Sequence, residues 1–453
     1  MLPMNDSESS PLVTPVTRRD FLKSSSALVA GGALVSTLTP ERFALGASPG
    51  DTLKIALIGC GGRGSGAASQ ALSTQGGIKL VAVADVFKDR MEASLNILKK
   101  DHSDKIEVPE DHKFVGFEAY KQAIALADVV ILATPPGFRP MMFEEAVRQG
   151  KHIFTEKPVA VDGPGVRRFL AAAAESKKKN LKVGVGLQRH HQTGYLETIK
   201  RLHDGAIGDI VAMRAYWNGS TPWVKPRKDL EAKFGRPLTE MEYQMQNWYY
   251  FVWLCGDHIV EQHIHNLDVI NWVKNSYPIR AHGLGGCEVR KGKDYGEIFD
   301  HHAVEYEYAD GSRLSSQCRH ILNCWNSVSE HVVGTKGTCD VGNHIISGDS
   351  AWRFRADKTN PPKDPYQQEH DDLFDAIRND RPYNEAENGA KSSLTAILGR
   401  MATYSGKVVE WDQALNSPIE TLPKDLAWDA SPKVLPGEDG MYPRAVPGKS
   451  TVF

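Results

Sequence analysis

Leu53-Lys54-Ile55-Ala56-Leu57-Ile58 runs directly into Gly59-Cys60-Gly61-Gly62-Arg63-Gly64, and this stretch decides the fold. A short apolar run that stops at a glycine cluster is the pattern of a buried parallel strand feeding a tight turn. Each glycine has a task there. Gly59 permits the reversal, Gly61 lets backbone amides approach a pyrophosphate, and Gly64 lets the next helix pack against the sheet. Gly62 completes the loop, and Arg63 offers a phosphate a cationic partner. A lone GxGxxG is weak, but its surroundings agree. Residues 65–72 suit a helix, and 79–84 read as a second strand ending in Asp85, about 20 residues beyond the glycines. A carboxylate there accepts hydrogen bonds from adenosine ribose hydroxyls and disfavours a 2′-phosphate. The expected cofactor is therefore NAD rather than NADP.

The alternation continues downstream. Residues 117–125 read as a helix and 128–133 as a strand ending in Thr134-Pro135-Pro136. Residues 141–149 form the next helix, and 152–154 a strand ending in Thr155-Glu156-Lys157-Pro158. This spacing predicts an α/β domain, a doubly wound parallel sheet of Rossmann type over residues 52–180, with ligands at the strand C-terminal ends. Thr134, Pro135, Glu156 and Lys157 then face the cofactor crevice.

The second half, residues 181–453, predicts a substrate-binding and oligomerisation domain of α+β type with an open, mostly antiparallel sheet. Its strands fall at 210–217, 280–289, 303–308, 312–318 and 331–333, with Asp310-Gly311 as a tight hairpin. Residues 357–365 form a loop, followed by helices over 367–379 and 385–405. An open sheet leaves a broad face needing cover, so a homo-oligomer (a dimer or tetramer) is expected. Within this half, residues 258–273 read as one helix, which puts Glu261 and His265 one turn apart on a single face. A carboxylate beside the imidazole would raise its pKa and orient its ring. His258, Glu261 and His265 also form a conceivable metal set, but the spacing is not HExxH, and no metal is expected. Arg189 and Trp248 are candidate substrate contacts, since aromatic faces stack on sugar rings and arginine bonds hydroxyls.

The whole chain has 453 residues, 41% apolar and 24% charged, with a formal net charge of −2. Two domains fit this length, and the absence of a basic run argues against a nucleic-acid partner. Six cysteines without a CxxC pair suggest neither a zinc site nor a structural disulfide. Thr17-Arg18-Arg19-Asp20-Phe21-Leu22-Lys23, followed by the apolar residues 27–38, reads as a twin-arginine signal occupying residues 1–47. The expected location is periplasmic or otherwise exported, with no stable membrane span after processing. That route carries folded proteins, so a nicotinamide cofactor would be loaded before export and held tightly.

These motifs together resemble the Gfo/Idh/MocA family of glucose-fructose oxidoreductase and inositol dehydrogenase type. The resemblance rests on the glycine turn, Ala133-Thr134-Pro135-Pro136, Glu156-Lys157-Pro158, Gly184-Val185-Gly186-Leu187-Gln188-Arg189, Gly205-Ala206-Ile207-Gly208-Asp209-Ile210 and Val333-Gly334-Thr335-Lys336-Gly337. It implies Lys157 as the active-site lysine and His265 as the acid/base, with Glu261 standing where the family has an aspartate, and His258 beside them in the substrate site. It implies an exported NAD(P)-dependent oxidoreductase acting on a CH–OH group of a small-molecule carbohydrate, whether sugar, glycoside or cyclitol. One alternative is an NAD-dependent glycosidase using transient oxidation at sugar carbon 3, elimination, hydration and re-reduction. A second is a non-catalytic binding module.

Overall fold

The computed structural model describes residues 51–453, so the twin-arginine stretch lies outside the described residues. β1 (Leu53–Ile58), β2 (Ile78–Asp85), β3 (Lys113–Val115), β4 (Val129–Leu132), β5 (His152–Thr155) and β6 (Val183–Val185) form a parallel sheet in the order β3-β2-β1-β4-β5-β6. β1 is buried on both faces. Ile55 and Leu57 join one apolar cluster, and Ala56 and Ile58 join the other, which is why its sequence is continuously apolar. The order reverses between β1 and β4, and that switch point opens the ligand crevice.

β6 is shorter than the stretch 184–189 suggests and lies past residue 180, where the sequence reading ended the nucleotide domain. Residues Gln188–His191 turn away as a short 3-10 segment. The helix Pro365–Arg378 also packs on this sheet, with Leu373, Phe374 and Ile377 in its core.

The second sheet has nine strands. They are β7 (Ile210–Gly219), β8 (Arg280–Gly286), β9 (His301–Glu307), β10 (Arg313–His320), β11 (Ser327–Gly334), β12 (Gly337–Asp340), β13 (Ile345–Gly348), β14 (Trp352–Arg353) and β15 (Val409–Glu410), in the order β14-β13-β12-β11-β7-β10-β9-β8-β15. Only the β7–β10 pair is parallel. The expected parallel sheet plus open, mostly antiparallel sheet is thus the observed fold.

A long buried helix, Ala386–Ser405, ties the halves together. Its Arg400 donates to the carbonyls of Val161 (2.7 Å) and Gly256 (3.1 Å). Ser393 Oγ accepts from the Val159 amide at 3.1 Å. Both connections end beside the loops that carry the site.

Residues 417–453 contain no helix or strand and cross the surface as a strap. Thr421 donates through its amide and hydroxyl to Asp162 Oδ2, both at 2.7 Å. Trp428 packs on Phe87 and Phe117, with ring centroids 5.3 and 4.9 Å away. Tyr442 donates to Glu240 Oε2 at 2.8 Å. All six cysteines are free, and among the described residues no helix is long and apolar enough to cross a membrane.

Candidate active site

A cavity of about 770 Å³ opens at the switch point and collects residues from both halves, within the range usual for ligand sites. Its floor is the glycine turn. Gly59 has φ +92°, and a Cβ on Gly64 would lie 1.9 Å from the Gly59 carbonyl oxygen. Only glycine fits either position. Gly61 and Gly62 face open space, with nothing within 4 Å of an added Cβ. Helix Gly62–Leu72 starts there with no side-chain cap, which leaves its first amides for an anion. These residues fit a dinucleotide pyrophosphate.

Asp85, at the end of β2, lines the same cavity. Its Oδ2 accepts from the Cys60 amide (2.7 Å) and its Oδ1 from the Phe87 amide (2.9 Å). Burial raises its pKa against those backbone bonds. The two amides hold the carboxylate in one orientation at the cavity wall. Thr134 and Pro135 line the opposite wall.

Arg63 does something other than the sequence suggests. Its Nε meets Glu156 Oε1 at 2.5 Å, and its Nη2 meets Gln70 Oε1 at 2.8 Å and Glu369 Oε1 at 3.6 Å. A half-buried guanidinium takes the nearest carboxylates, so Arg63 and Glu156 clamp the glycine turn to the end of β5 while both line the cavity.

Lys157, Glu261 and His265 line the deep end. Lys157 follows β5 and precedes a cis peptide bond to Pro158. Its Nζ donates to the Glu261 carbonyl at 2.6 Å and lies 3.3 Å from Glu261 Oε1. Arg139, unremarked in the sequence, braces the same loop. Its Nη1 donates to the Pro158 carbonyl (2.5 Å) and its Nη2 to the Thr134 carbonyl (2.6 Å). Burial raises the Glu261 pKa, while Lys157 and Arg139 oppose the rise.

The single helix expected over 258–273 is broken into His258–Glu261 and Ile264–Lys274, with Gln262 and His263 between. Glu261 turns to Lys157 and makes no hydrogen bond to His265. The expected rise in the His265 pKa is accordingly reversed. Burial lowers it well below the ordinary value, helped by the positive charges of Lys157 and Arg189. His265 Nδ1 is buried without a partner, so Nε2 is the nitrogen left for chemistry. Trp217 stacks against the ring at 6.0 Å and 23°.

Of the three expected substrate contacts, Trp248 lines the cavity, edge-on to Trp223 at 6.1 Å. Arg189 does not line it. Its Nη1 is bound to Glu330 of β11, and its guanidinium lies 5.5 Å from the Tyr195 ring. A buried arginine needs such a carboxylate. His258 is fully buried away from the cavity beside Asp257, His302 and His320. Among the lining residues that the sequence does not single out are Trp223, Tyr366 and Lys225. Burial lowers the Lys225 pKa to about 8. No local motif marks them, because they reach the site from an irregular segment and a helix start.

Comparison with known proteins agrees with this geometry. Residues 53–185 match the Gfo/Idh/MocA oxidoreductase family, NAD-binding Rossmann fold. The chain is 25% identical over 228 residues to inositol 2-dehydrogenase of Salmonella typhimurium, covering 49% of this chain. That match spans about half (55%) of the relative's length. Over 150 residues it is 30% identical to a glycosyl hydrolase family 109 protein of Solibacter usitatus, covering 32% of this chain and 33% of that one. Its fold is similar to a solved scyllo-inositol dehydrogenase of Lactobacillus casei with bound NAD(H) and scyllo-inositol. The TM-score is 0.58 at 20% identity, over 80% of this chain and all of that one.

Proposed function

We propose that this chain is an exported oxidoreductase that acts on a CH–OH group of a sugar, glycoside or cyclitol with a tightly bound NAD. One observation carries the reading: Lys157, Glu261 and His265 line the same cavity as the glycine turn and Asp85. The turn holds the pyrophosphate on its amides and Asp85 holds the adenosine ribose. Bound there, the cofactor supplies the hydride acceptor that amino-acid side chains lack. His265, kept neutral by burial, takes the substrate hydroxyl proton at Nε2. The Lys157 ammonium stabilises the alkoxide oxygen as that proton leaves. Glu261 and its carbonyl fix the ammonium in place. Trp248 and Trp223 offer apolar ring faces to a carbohydrate, and Trp217 backs the His265 ring.

A second reading keeps the same groups and adds elimination and hydration after oxidation at sugar carbon 3, giving net glycoside hydrolysis with the cofactor restored. Its support is the similarity to a glycosyl hydrolase family 109 protein. The export proposal rests on residues 17–23 and on the folded-state route that motif serves.

The test is to purify the full-length protein and quantify nucleotide released on denaturation. Chromogenic glycosides and free sugars are then supplied with no added NAD. Sustained aglycone release selects the glycosidase reading. A single-turnover rise at the reduced-nicotinamide band without aglycone release selects the dehydrogenase. Absence of both, with no bound nucleotide, sinks the proposal.

A further inference from the structure

Asp257, His258 and His302 lie outside the cavity, all with fully buried side chains. Asp257 adopts φ +77° and ψ 161°, a region that favours glycine, and it lies at the start of the short helix that ends at Glu261. The strained backbone brings its Oδ1 to 2.8 Å from His258 Nδ1 and 3.3 Å from His302 Nε2. One donor atom from each of the three residues falls within 4.8 Å of the others.

The hydrogen bonding around this group is incomplete in an informative way. His302 Nδ1 is 2.9 Å from Thr403 Oγ1. Thr403 Oγ1 also lies 3.1 Å from the Gly399 carbonyl and 3.0 Å from the Arg400 carbonyl, so its one proton has these two acceptors as well as His302 Nδ1. With that proton on a carbonyl, His302 Nδ1–H donates to Oγ1 and the neutral ring's lone pair sits on Nε2, facing Asp257 Oδ1. Two lone pairs 3.3 Å apart repel unless a positive species sits between them. His258 adds two more buried ring nitrogens: Nδ1 meets only Asp257 Oδ1, at 2.8 Å, and Nε2 has no hydrogen-bond partner. Asp257 Oδ1 also accepts from the His258 amide, and Oδ2 is saturated by the Phe299 amide (2.9 Å) and the Tyr404 hydroxyl (2.5 Å).

We propose that Asp257, His258 and His302 bind a structural divalent metal ion of the zinc class. Ligand bonds of about 2.0–2.1 Å place neighbouring tetrahedral donors about 3.3 Å apart, which is the Asp257–His302 separation, while the 2.8 Å between Asp257 and His258 has to open on binding. Thr403 on His302 and Tyr404 on Asp257 are the outer partners that orient such ligands. Arg290, fully buried, reaches the cluster through His320 (Nη1 to Nδ1 3.4 Å). The ion is therefore held by short bonds rather than by net charge. It pins the start of the segment carrying Glu261 to β9 and to the long helix. This site is distinct from the set His258, Glu261 and His265 that the sequence suggested, because Glu261 and His265 face the cavity. The proposal is independent of the reaction proposed above.

The test is metal content. The full-length protein is produced in media supplemented with zinc or cobalt, dialysed without chelator and measured by elemental mass spectrometry. Close to one ion per chain is expected, with visible ligand-field bands of tetrahedral intensity for Co2+. His302→Gln should lower the content at least about tenfold, while Glu261→Gln leaves it unchanged. If His302→Gln does not fold, the wild-type stoichiometry and the cobalt spectrum still decide. Metal below about 0.1 ion per chain in both media overturns the proposal and assigns the gap to a proton on His302. Loss of metal in Glu261→Gln overturns it in favour of the cavity.

Discussion

The Lys157 ammonium is seated on Glu261, 2.6 Å from its carbonyl oxygen and 3.3 Å from its Oε1. Lys157 lies two residues past a strand of the first sheet, and Glu261 ends a helical turn packed in the second half. Closing the site therefore means joining the halves.

Replacing Lys157 with methionine keeps the length of the side chain and removes the charge. The rate of substrate oxidation should fall by about 10²–10⁴-fold, while nucleotide recovered from the denatured protein stays at the wild-type level. A fall in bound nucleotide of the same size would place Lys157 in cofactor binding alone.

The pH profile follows from His265. Its pKa is lowered by burial and then by Lys157 and Arg189, so the base form persists below the ordinary histidine value of about 6.5. The acid limb of kcat/KM should lie below that pH. In Arg189→Met one depressing charge is gone and Glu330 loses its partner, so the limb should move upward. A limb that does not move removes His265 as the base.

Cofactor retention depends on the turn. Gly64→Ala places a Cβ 1.9 Å from the Gly59 carbonyl oxygen, so the purified variant should carry little or no nucleotide. Asp85→Ser should reduce the preference for NAD over NADP by about 10-fold or more, measured by reconstituting the stripped protein with each.

Acid stability has a separate source in His152. Burial lowers its pKa to about 4, and its Nδ1 accepts from the Lys182 amide at 3.0 Å, which requires a lone pair. The unfolded chain takes up a proton near pH 6.5 that the native state refuses until about pH 4. Stability is thus present above pH 6.5 and is lost as the pH falls through that window, by roughly 3 kcal/mol for this residue. His152→Asn, which can still accept from Lys182, should flatten the thermal-melting difference between pH 7.5 and pH 5.

The outer face of the nine-stranded sheet carries Leu284 (79% exposed) and Trp325 (62% exposed), the latter packed on Tyr216 at 5.5 Å. Exposed apolar groups on a broad sheet suit a second copy of the chain. Wild-type protein should elute as a dimer or tetramer, and the double variant Leu284→Glu, Trp325→Ser as a monomer. A monomeric wild type would falsify this arrangement.

What the sequence made legible was local. The turn at Gly59–Gly64 and the strand ends at Thr134 and Lys157 are set by neighbours in the chain, and the structure places them as spacing and motif suggested. His258 and Arg189 were misplaced for one reason. Their partners, His302 and Glu330, come from strands far along the sequence, and no periodicity reports which side of a buried helix meets which strand. The unbroken helix over 258–273 failed likewise: the pattern of apolar positions does not record that Glu261 turns toward a lysine 104 residues earlier. Arg139 and Lys225 carry no motif at all, and only the meeting of distant loops gives them a role.

The strap of residues 417–453 has a bearing on timing. It leaves the ribosome after both sheets, yet Trp428 rests on Phe87 and Phe117, and Phe117 lines the cavity. A nascent chain stalled before residue 417 would hold a formed nucleotide turn whose Phe117 lacks the Trp428 ring packed against it. Trp428 therefore reaches the back of Phe117 only after both sheets have been made.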